Sequence, residues 1–311
     1  MRKFIISDLH GNGEVYDSIM GYLDNISLVE DIELYINGDL IDRGLDSFRM
    51  LEDVKRRIDE DDRIKIHYLG GNHELMMYNA LSKDSINKAS AHDDWMANGG
   101  CLIMGMLEMM DLEEGLAKEE ELVNFLGRLE IYHKFEETIR GNNLLLVHAQ
   151  APHEIKDICN LHIGDDSDEV FDAVWTRKEI RQRLIFGHGD IIGYNRIGKE
   201  GYYTIIGHTP NKSDLGFSFD REENVLNIDG NCAYYALGAF KYNRVPLVEV
   251  KEGYLEILVF NHFNKIVNGF YHDGRLEKMT DEELENRRIY IDHTYDDRGL
   301  EEKLKLKEYL R

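Results

Sequence analysis

Five short polar clusters interrupt this chain, each directly after an apolar and often β-branched run: Ser7-Asp8-Leu9-His10-Gly11, Gly38-Asp39-Leu40-Ile41-Asp42-Arg43-Gly44, Gly71-Asn72-His73-Glu74, Val147-His148-Ala149 and Gly207-His208-Thr209-Pro210. Short apolar runs that end in polar, glycine-rich segments read as buried strands feeding loops. The pattern confines the chain to an α/β sheet with the clusters at its strand ends, the edge at which such sheets bind ligands. Gathered on one sheet edge, three Asp, one Asn and four His mix hard oxygen donors with imidazoles. That set suits manganese, iron or zinc better than calcium or a thiolate site, and it implies a two-metal hydrolase.

The segments between the clusters support the same architecture. Val15, Ile19, Leu23 and Ile26 recur at the spacing of one helix face, as do Phe48, Leu51, Val54 and Ile58. Strands are expected at Ile32 to Ile36 and Ile64 to Leu69, so the first three clusters belong to parallel βαβ units. Residues 75–135 read as a helical insertion beside the site, with a methionine-rich stretch that serves as core filler. Arg140-Gly141-Asn142-Asn143 predicts a tight hairpin between Glu136 to Ile139 and Leu144 to Val147. Further strands are expected at Tyr203 to Ile206, Val225 to Ile228, Val245 to Val250 and Leu255 to Phe260. Residues 1–260 form the expected catalytic domain. Residues 261–311 are a C-terminal extension with no function assigned, ending in a sign-alternating, solvated helix.

Composition excludes several classes of function. With 37 Lys and Arg against 60 Asp and Glu, the formal net charge of -23 opposes association with long nucleic acids. A metal pair reverses that sign locally and admits a small phosphate group. Cys101, Cys159 and Cys232 form no Cys-x-x-Cys pair, which fits a reducing compartment. The first strand begins within the first few residues, leaving no room for a secretory leader, and no apolar run approaches the roughly 20 residues of a membrane span. A cytoplasmic location without membrane contact is expected.

The residue types suggest a division of labour. Asp8 and His10, two apart at a strand end, can point the same way and chelate one ion. Asp39 is placed to bridge two ions, and Asn72, His148 and His208 can complete the shell of the second. A water shared by the ions is the expected nucleophile. An alkoxide leaves poorly unless it is protonated, and His73 is the candidate acid, with Asp42 hydrogen-bonding to it and favouring its protonated form. Arg43 can fork onto phosphate oxygens, and Arg177, in Val174-Trp175-Thr176-Arg177, can supply an opposing fork.

Asp-x-His-Gly, Gly-Asp-x-x-Asp-Arg-Gly, Gly-Asn-His-Glu, Val-His-Ala and Gly-His-Thr, in this order over residues 1–240, resemble the phosphoprotein phosphatase family of dinuclear metallophosphoesterases. The likeness is to its compact bacterial and phage branch, which includes the symmetrical dinucleoside tetraphosphatases. The resemblance implies a layered αββα, calcineurin-like sandwich. It assigns Asp8, His10 and Asp39 to one metal and Asp39, Asn72, His148 and His208 to the other. It also implies that Asp42 and His73 form the acid pair and that Arg43 and Arg177 hold phosphate. The expected activity is hydrolysis of phosphomonoesters by direct attack of a metal-bridging hydroxide, with a serine/threonine phosphoprotein as first substrate. Symmetrical hydrolysis of diadenosine tetraphosphate is the alternative. Two departures bear on substrate preference: Gln150 stands where the family usually has Gly, and Leu226-Asn227-Ile228-Asp229-Gly230-Asn231 resembles the family's Ile-Asp-Thr-Gly only loosely.

Blander readings compete with these. A lone Asp-x-His is common in turns, and an Arg beside an Asp is usually an ordinary ion pair. His188, in Phe186-Gly187-His188-Gly189, also follows an apolar run and rivals His208, which is preferred because Thr209-Pro210 completes the motif. Glu74 and Asp229 are supporting residues at best. The remaining histidines, His67 and His133 among them, are expected on the surface or satisfied in the core. Tyr194, Tyr202 and Tyr203 lie in a segment that can stack on adenine. A phosphate-binding module without activity would lack the acid or a metal ligand, and this chain has both.

Overall fold

The computed structural model describes residues 1–83, 88–183, 190–210, 216–233, 244–260, 270–272, 275–277 and 289–291. Strands β1 (Arg2–Ile6), β2 (Ile32–Asn37) and β3 (Ile64–Leu69) are separated by helices α1 (Gly13–Ser27) and α2 (Ser47–Glu60), as expected of βαβ units. Their register is parallel, Ile6 lying opposite Ile36 and Asn37 opposite Leu69. Four helices follow: α3 (Asn72–Leu81), α4 (Lys88–Trp95), α5 (Cys101–Glu108) and α6 (Leu112–Leu126), with a π-helical turn at Met96–Gly100 between α4 and α5. Strands β4 (Tyr132–Ile139) and β5 (Asn142–Val147), helix α7 (Asp168–Trp175) and strands β6 (Glu179–Arg183), β7 (Asp190–Tyr194), β8 (Tyr202–Ile206), β9 (Ser218–Asp220), β10 (Val225–Asn227), β11 (Val245–Lys251) and β12 (Tyr254–Phe260) come next. Short strands β13 (Phe270–His272), β14 (Arg275–Glu277) and β15 (Ile289–Ile291) are the described parts of the C-terminal region.

Two sheets form the centre, with strand orders β15-β12-β11-β1-β2-β3 and β4-β5-β8-β10-β9. Side-chain alternation along each strand shows how they stack. Ile5, Tyr35, Leu144, Leu146, Tyr203, Ile205, Val248 and Ile257 share a core between the sheets. Their neighbours Phe4, Ile6, Leu34, Ile36, Leu145 and Val147 face outward onto the helices. Burial on both faces explains why β1 and β5 end in continuous apolar runs, Phe4 to Ile6 and Leu144 to Val147. Helix α1 covers the first sheet with Val15, Tyr16, Ile19, Met20 and Leu23, each fully buried apolar side chain contributing roughly 1.5–3 kcal/mol over an exposed one. The layered α/β sandwich is the expected architecture.

Three details depart from the sequence reading. The helices end at Leu126, and the strand expected at Glu136 begins at Tyr132, because a register shift between Lys134 and Thr138 breaks the alternation that marks a strand. The hairpin turn uses Arg140 and Gly141, both with positive φ, rather than the Gly-Asn step. Helix α7 was not read from the sequence, although Ser167 caps it by accepting from the Val170 N–H. No described helix is long and apolar enough to cross a membrane.

Candidate metal centre

The clusters meet at the carboxyl ends of β1, β2, β3, β5 and β8. They come from both sheets, three from the first and two from the second, rather than from one sheet edge. The Asn37 side-chain amide spans the join, donating to the Val147 carbonyl at 3.1 Å. Gly38, at φ 78°, allows a close approach here. A Cβ there would stand 2.6 Å from the Gly71 Cα, so the Asp39 and Asn72 loops touch backbone to backbone.

The backbone at this edge is left-handed at Asp8 (φ 55°), His10 (44°), Asp39 (52°), Asp42 (69°), Arg43 (69°) and His208 (64°). Each such non-glycine residue costs on the order of 1 kcal/mol or more and persists only where the surroundings over-determine it. Here they do. The His10 and Gly11 N–H groups donate to the Asp39 and Leu40 carbonyls at 2.9 Å each. The Glu74 carboxylate accepts from the Asp39, Leu40 and Gly71 N–H groups at 2.8, 3.1 and 2.9 Å and from the Tyr68 hydroxyl at 2.6 Å, pinning two loops to one buried group.

Asp39 sits at the middle and is 3% exposed. Its Oδ2 faces His10 Nε2 at 3.4 Å and His73 Nε2 at 4.0 Å, and its Oδ1 faces His148 Nε2 at 3.4 Å. Asn72 Oδ1 lies 3.2 Å from His148 Nε2 and 2.8 Å from His208 Nδ1. The far nitrogens of three rings are tied to backbone carbonyls: His10 Nδ1 to Ile41, His148 Nδ1 to Asn37 and His208 Nε2 to Trp175, at 3.1, 2.7 and 3.0 Å. For His10 and His148 those bonds place an N–H on the outer nitrogen and leave the other nitrogen facing Asp39. Polar atoms of Asp39, Asn72, His148 and His208 therefore converge on one small space, and those of Asp39 and His10 on another. Oxygen and imidazole nitrogen atoms gathered in this way suit a divalent cation. Two groups, His10 with Asp39 and His73, and Asp39 with His148 and His208, have ligand atoms within 4.8 Å of one another.

The electrostatics agree with this placement. Burial works against the Asp39 charge, yet His148 and His73 beside it hold the carboxyl well below the usual range. Burial also disfavours a charged His148, but Asp39 pulls it up to about 10. A metal takes that place only when the imidazole gives up its proton. Burial, then His148, pushes His208 down to about 3, and burial, then His73, lowers His10 well below its ordinary value. Asp229, 1% exposed, is raised to about 6 by burial, with the Asn231 N–H opposing and Asp39 adding to it. Burial and Asp229 raise Asp8 well above a normal carboxyl. Three buried carboxylates so close to one another favour a bound cation.

Asp8 lies at this site but in neither group of converging atoms. Its Oδ1 accepts the His208 N–H at 2.9 Å and its Oδ2 accepts the Ser7 hydroxyl. His73 Nδ1 donates to Asp42 Oδ2 at 2.7 Å, and both residues are fully buried. Arg43, half-buried, brings Nη1 to 3.5 Å from His10 Nε2, and exposed Arg177 brings Nε to 3.2 Å from His208 Nε2. The two guanidinium groups thus flank opposite ends of the histidine set. His188 lies outside the described residues.

Residues 1–248 match the sequence profile of the calcineurin-like phosphoesterases. The chain belongs to that family. Membership makes it a phosphoric ester hydrolase and implies divalent metal ions, for which the converging donors are suited. No curated protein is a match to this calcineurin-like phosphoesterase. Solved structures similar to it include a protein provisionally assigned as a diadenosine tetraphosphatase, at 15% identity and TM-score 0.47 over 85% of this chain and 94% of that one. A serine/threonine phosphatase from Saccharomyces cerevisiae gives 14% identity and TM-score 0.49 over 84% and 79%. A cold-active protein-tyrosine phosphatase from a Shewanella species gives 13% and 0.44 over 82% and 77%.

Some residues of the site carried no sequence signal of their own. Trp95 donates to both Asp42 oxygens from within the helical segment, where its only mark was being one of two tryptophans, followed by Gly99-Gly100. Asn37 acts through ordinary hydrogen bonds that no motif announces. Tyr203, one of three tyrosines considered for stacking, is buried between the sheets.

Proposed function

We propose that this calcineurin-like phosphoesterase hydrolyses phosphomonoesters, with a serine/threonine phosphoprotein as its first substrate. The reading rests on the Asp42–His73 pair. A carboxylate 2.7 Å from one imidazole nitrogen, with the other nitrogen 4.0 Å from the shared Asp39, places a proton donor beside the converging ligands. An alkoxide leaving group requires such a donor. In this reading Asp8, His10 and Asp39 hold one ion, and Asp39, Asn72, His148 and His208 the other, with manganese favoured over iron or zinc. When bound, the ions supply Lewis acidity and bring the ionisation of a water towards neutral pH. His73 Nε2 delivers its proton to the departing oxygen, and Asp42 holds the ring in the required tautomer. Arg43 and Arg177 take the phosphate oxygens from two sides as negative charge builds. The catalytic domain spans 1–260, with the helices between β3 and β4 as its insertion.

The test is a substrate panel. The protein is stripped with a chelator, restored with manganese and assayed on a phosphopeptide, an aryl phosphate and diadenosine tetraphosphate. Metal-dependent release of phosphate from the phosphopeptide is expected. Rapid conversion of diadenosine tetraphosphate to ADP alone, with phosphopeptides untouched, would overturn the choice of substrate. His73→Asn is expected to cost about 100-fold or more on alkyl phosphates and far less on aryl phosphates, whose leaving groups need little protonation. Equal losses on both would remove His73 from the acid role.

A further inference from the structure

We infer that Trp95 is a positioning residue for proton donation, its indole N–H holding the Asp42 carboxylate in the orientation that serves His73. The inference rests on the reading of His73 as the acid. Trp95 Nε1 lies 3.1 Å from both Asp42 oxygens, while Asp42 Oδ2 also accepts from His73 Nδ1 at 2.7 Å. Trp95, Asp42 and His73 are each at most 1% exposed, so water does not share the work. A buried indole needs an acceptor for its N–H, and a backbone carbonyl would serve that need equally well. Here the acceptor is a carboxylate with no Arg or Lys partner among the described residues.

The backbone around Trp95 is shaped for this contact. The π-helical turn Met96–Gly100 follows it directly, and Gly99 in that turn has φ 110°. A Cβ on Gly99 would lie 2.6 Å from the Arg43 N, so the turn rests against the backbone next to Asp42. A Cβ on Gly100 would lie 2.4 Å from Trp95 Cε2, so glycine there leaves the indole room to seat. Asp42 itself sits on a left-handed backbone, φ 69°, and its carboxylate is fixed by what it bonds to. With the indole donor removed, the carboxylate is free to turn away from His73 Nδ1, and His73 loses the partner that sets its tautomer. The segment between β3 and β4 thereby becomes part of the acid apparatus as well as a cover for the core.

The test uses Trp95→Phe and site-specific replacement of Trp95 by benzothienylalanine, which keeps the bicyclic shape and lacks the N–H. Both are assayed in the manganese-loaded protein on an alkyl and an aryl phosphate, beside His73→Asn. The expected result is a loss of about tenfold on the alkyl substrate, the worth of one hydrogen bond to a charged group, with little loss on the aryl substrate. In an Asp42→Asn background the same replacements should have no further effect. Should Trp95→Phe fail to fold, the isosteric analogue alone decides. If His73→Asn separates the two substrates while the Trp95 variants depress both equally or neither, Trp95 is ordinary core and the inference is wrong. If His73→Asn does not separate them, the acid reading has failed first.

Discussion

Among the described residues, histidines gather in two regions of this protein, and only one of these has the makings of a metal site. Between the flanks of the two sheets, His67 stacks on Tyr35 with ring centroids 4.5 Å apart, and His133 lies 4.6 Å from the same tyrosine and 4.7 Å from Phe135. At the strand ends, His10, His73, His148 and His208 surround Asp39. The first pair is packed by its ring faces, and burial pushes His133 down to about 4 and His67 below its ordinary value. In the second set one nitrogen of each ring is tied to a carbonyl or to Asp42, which turns the other towards the centre. The first pair is half-buried, and the four histidines of the second set are buried. A shared carboxylate and outward-tethered rings make the difference, and among the described residues no other His, Cys, Asp or Glu groups converge in this way.

The comparison can be broken most forcefully at Asp39. Asp39→Asn should abolish the binding of both ions and reduce turnover by about a thousandfold or more, since one oxygen faces each group. His133→Phe should leave metal content and turnover at neutral pH unchanged. A metal analysis of the two variants that showed equal losses would erase the distinction. Arg43→Ala should cost on the order of 100-fold in kcat/KM, as expected of a donor aimed at developing charge, and exposed Arg177→Ala less, about tenfold. Steady-state kinetics on one aryl phosphate would measure both, and the reverse order would count against the asymmetry.

The smallest effect sharpens the other side. His133 is held neutral in the fold, its value lowered from 6.5 to about 4. The unfolded chain takes up a proton below 6.5 that the folded chain refuses, so this contribution to stability is present above that pH and is lost as pH falls towards 4. The loss is on the order of 2 kcal/mol, with His67, Glu33, Lys3 and Glu137 facing the ring. Urea unfolding at pH 4.5 and 7.5 should show His133→Phe less sensitive to acid than the parent. Equal sensitivity would place the acid lability elsewhere.

What could be read from the sequence divides along physical lines. The βαβ units, the hairpin and the converging clusters rest on local periodicity and on motifs that bring their own context, and they were legible. The pairing of clusters from two sheets was not, because strand order across Asn37 and Val147 is a long-range fact. Helix α7 and the extension of β4 to Tyr132 were hidden by a polar first turn and by the register shift near Lys134. Residues that converge at the strand ends could be named from their types and spacing. Trp95 could not, since its role comes from a contact 53 positions away. Asp8 was expected to chelate; its oxygens also accept from the Ser7 hydroxyl and the His208 N–H, and the second of these contacts reaches across from the other sheet, which local sequence does not reveal.

The central claim is that two cations lie on either side of Asp39. Anomalous diffraction from crystals of the manganese-loaded protein tests it most directly. The account predicts two peaks, one on the His10 side and one between His148 and His208, with Asp39 oxygens reaching both. A single peak away from Asp39, or no peak at these histidines in excess manganese, would contradict it.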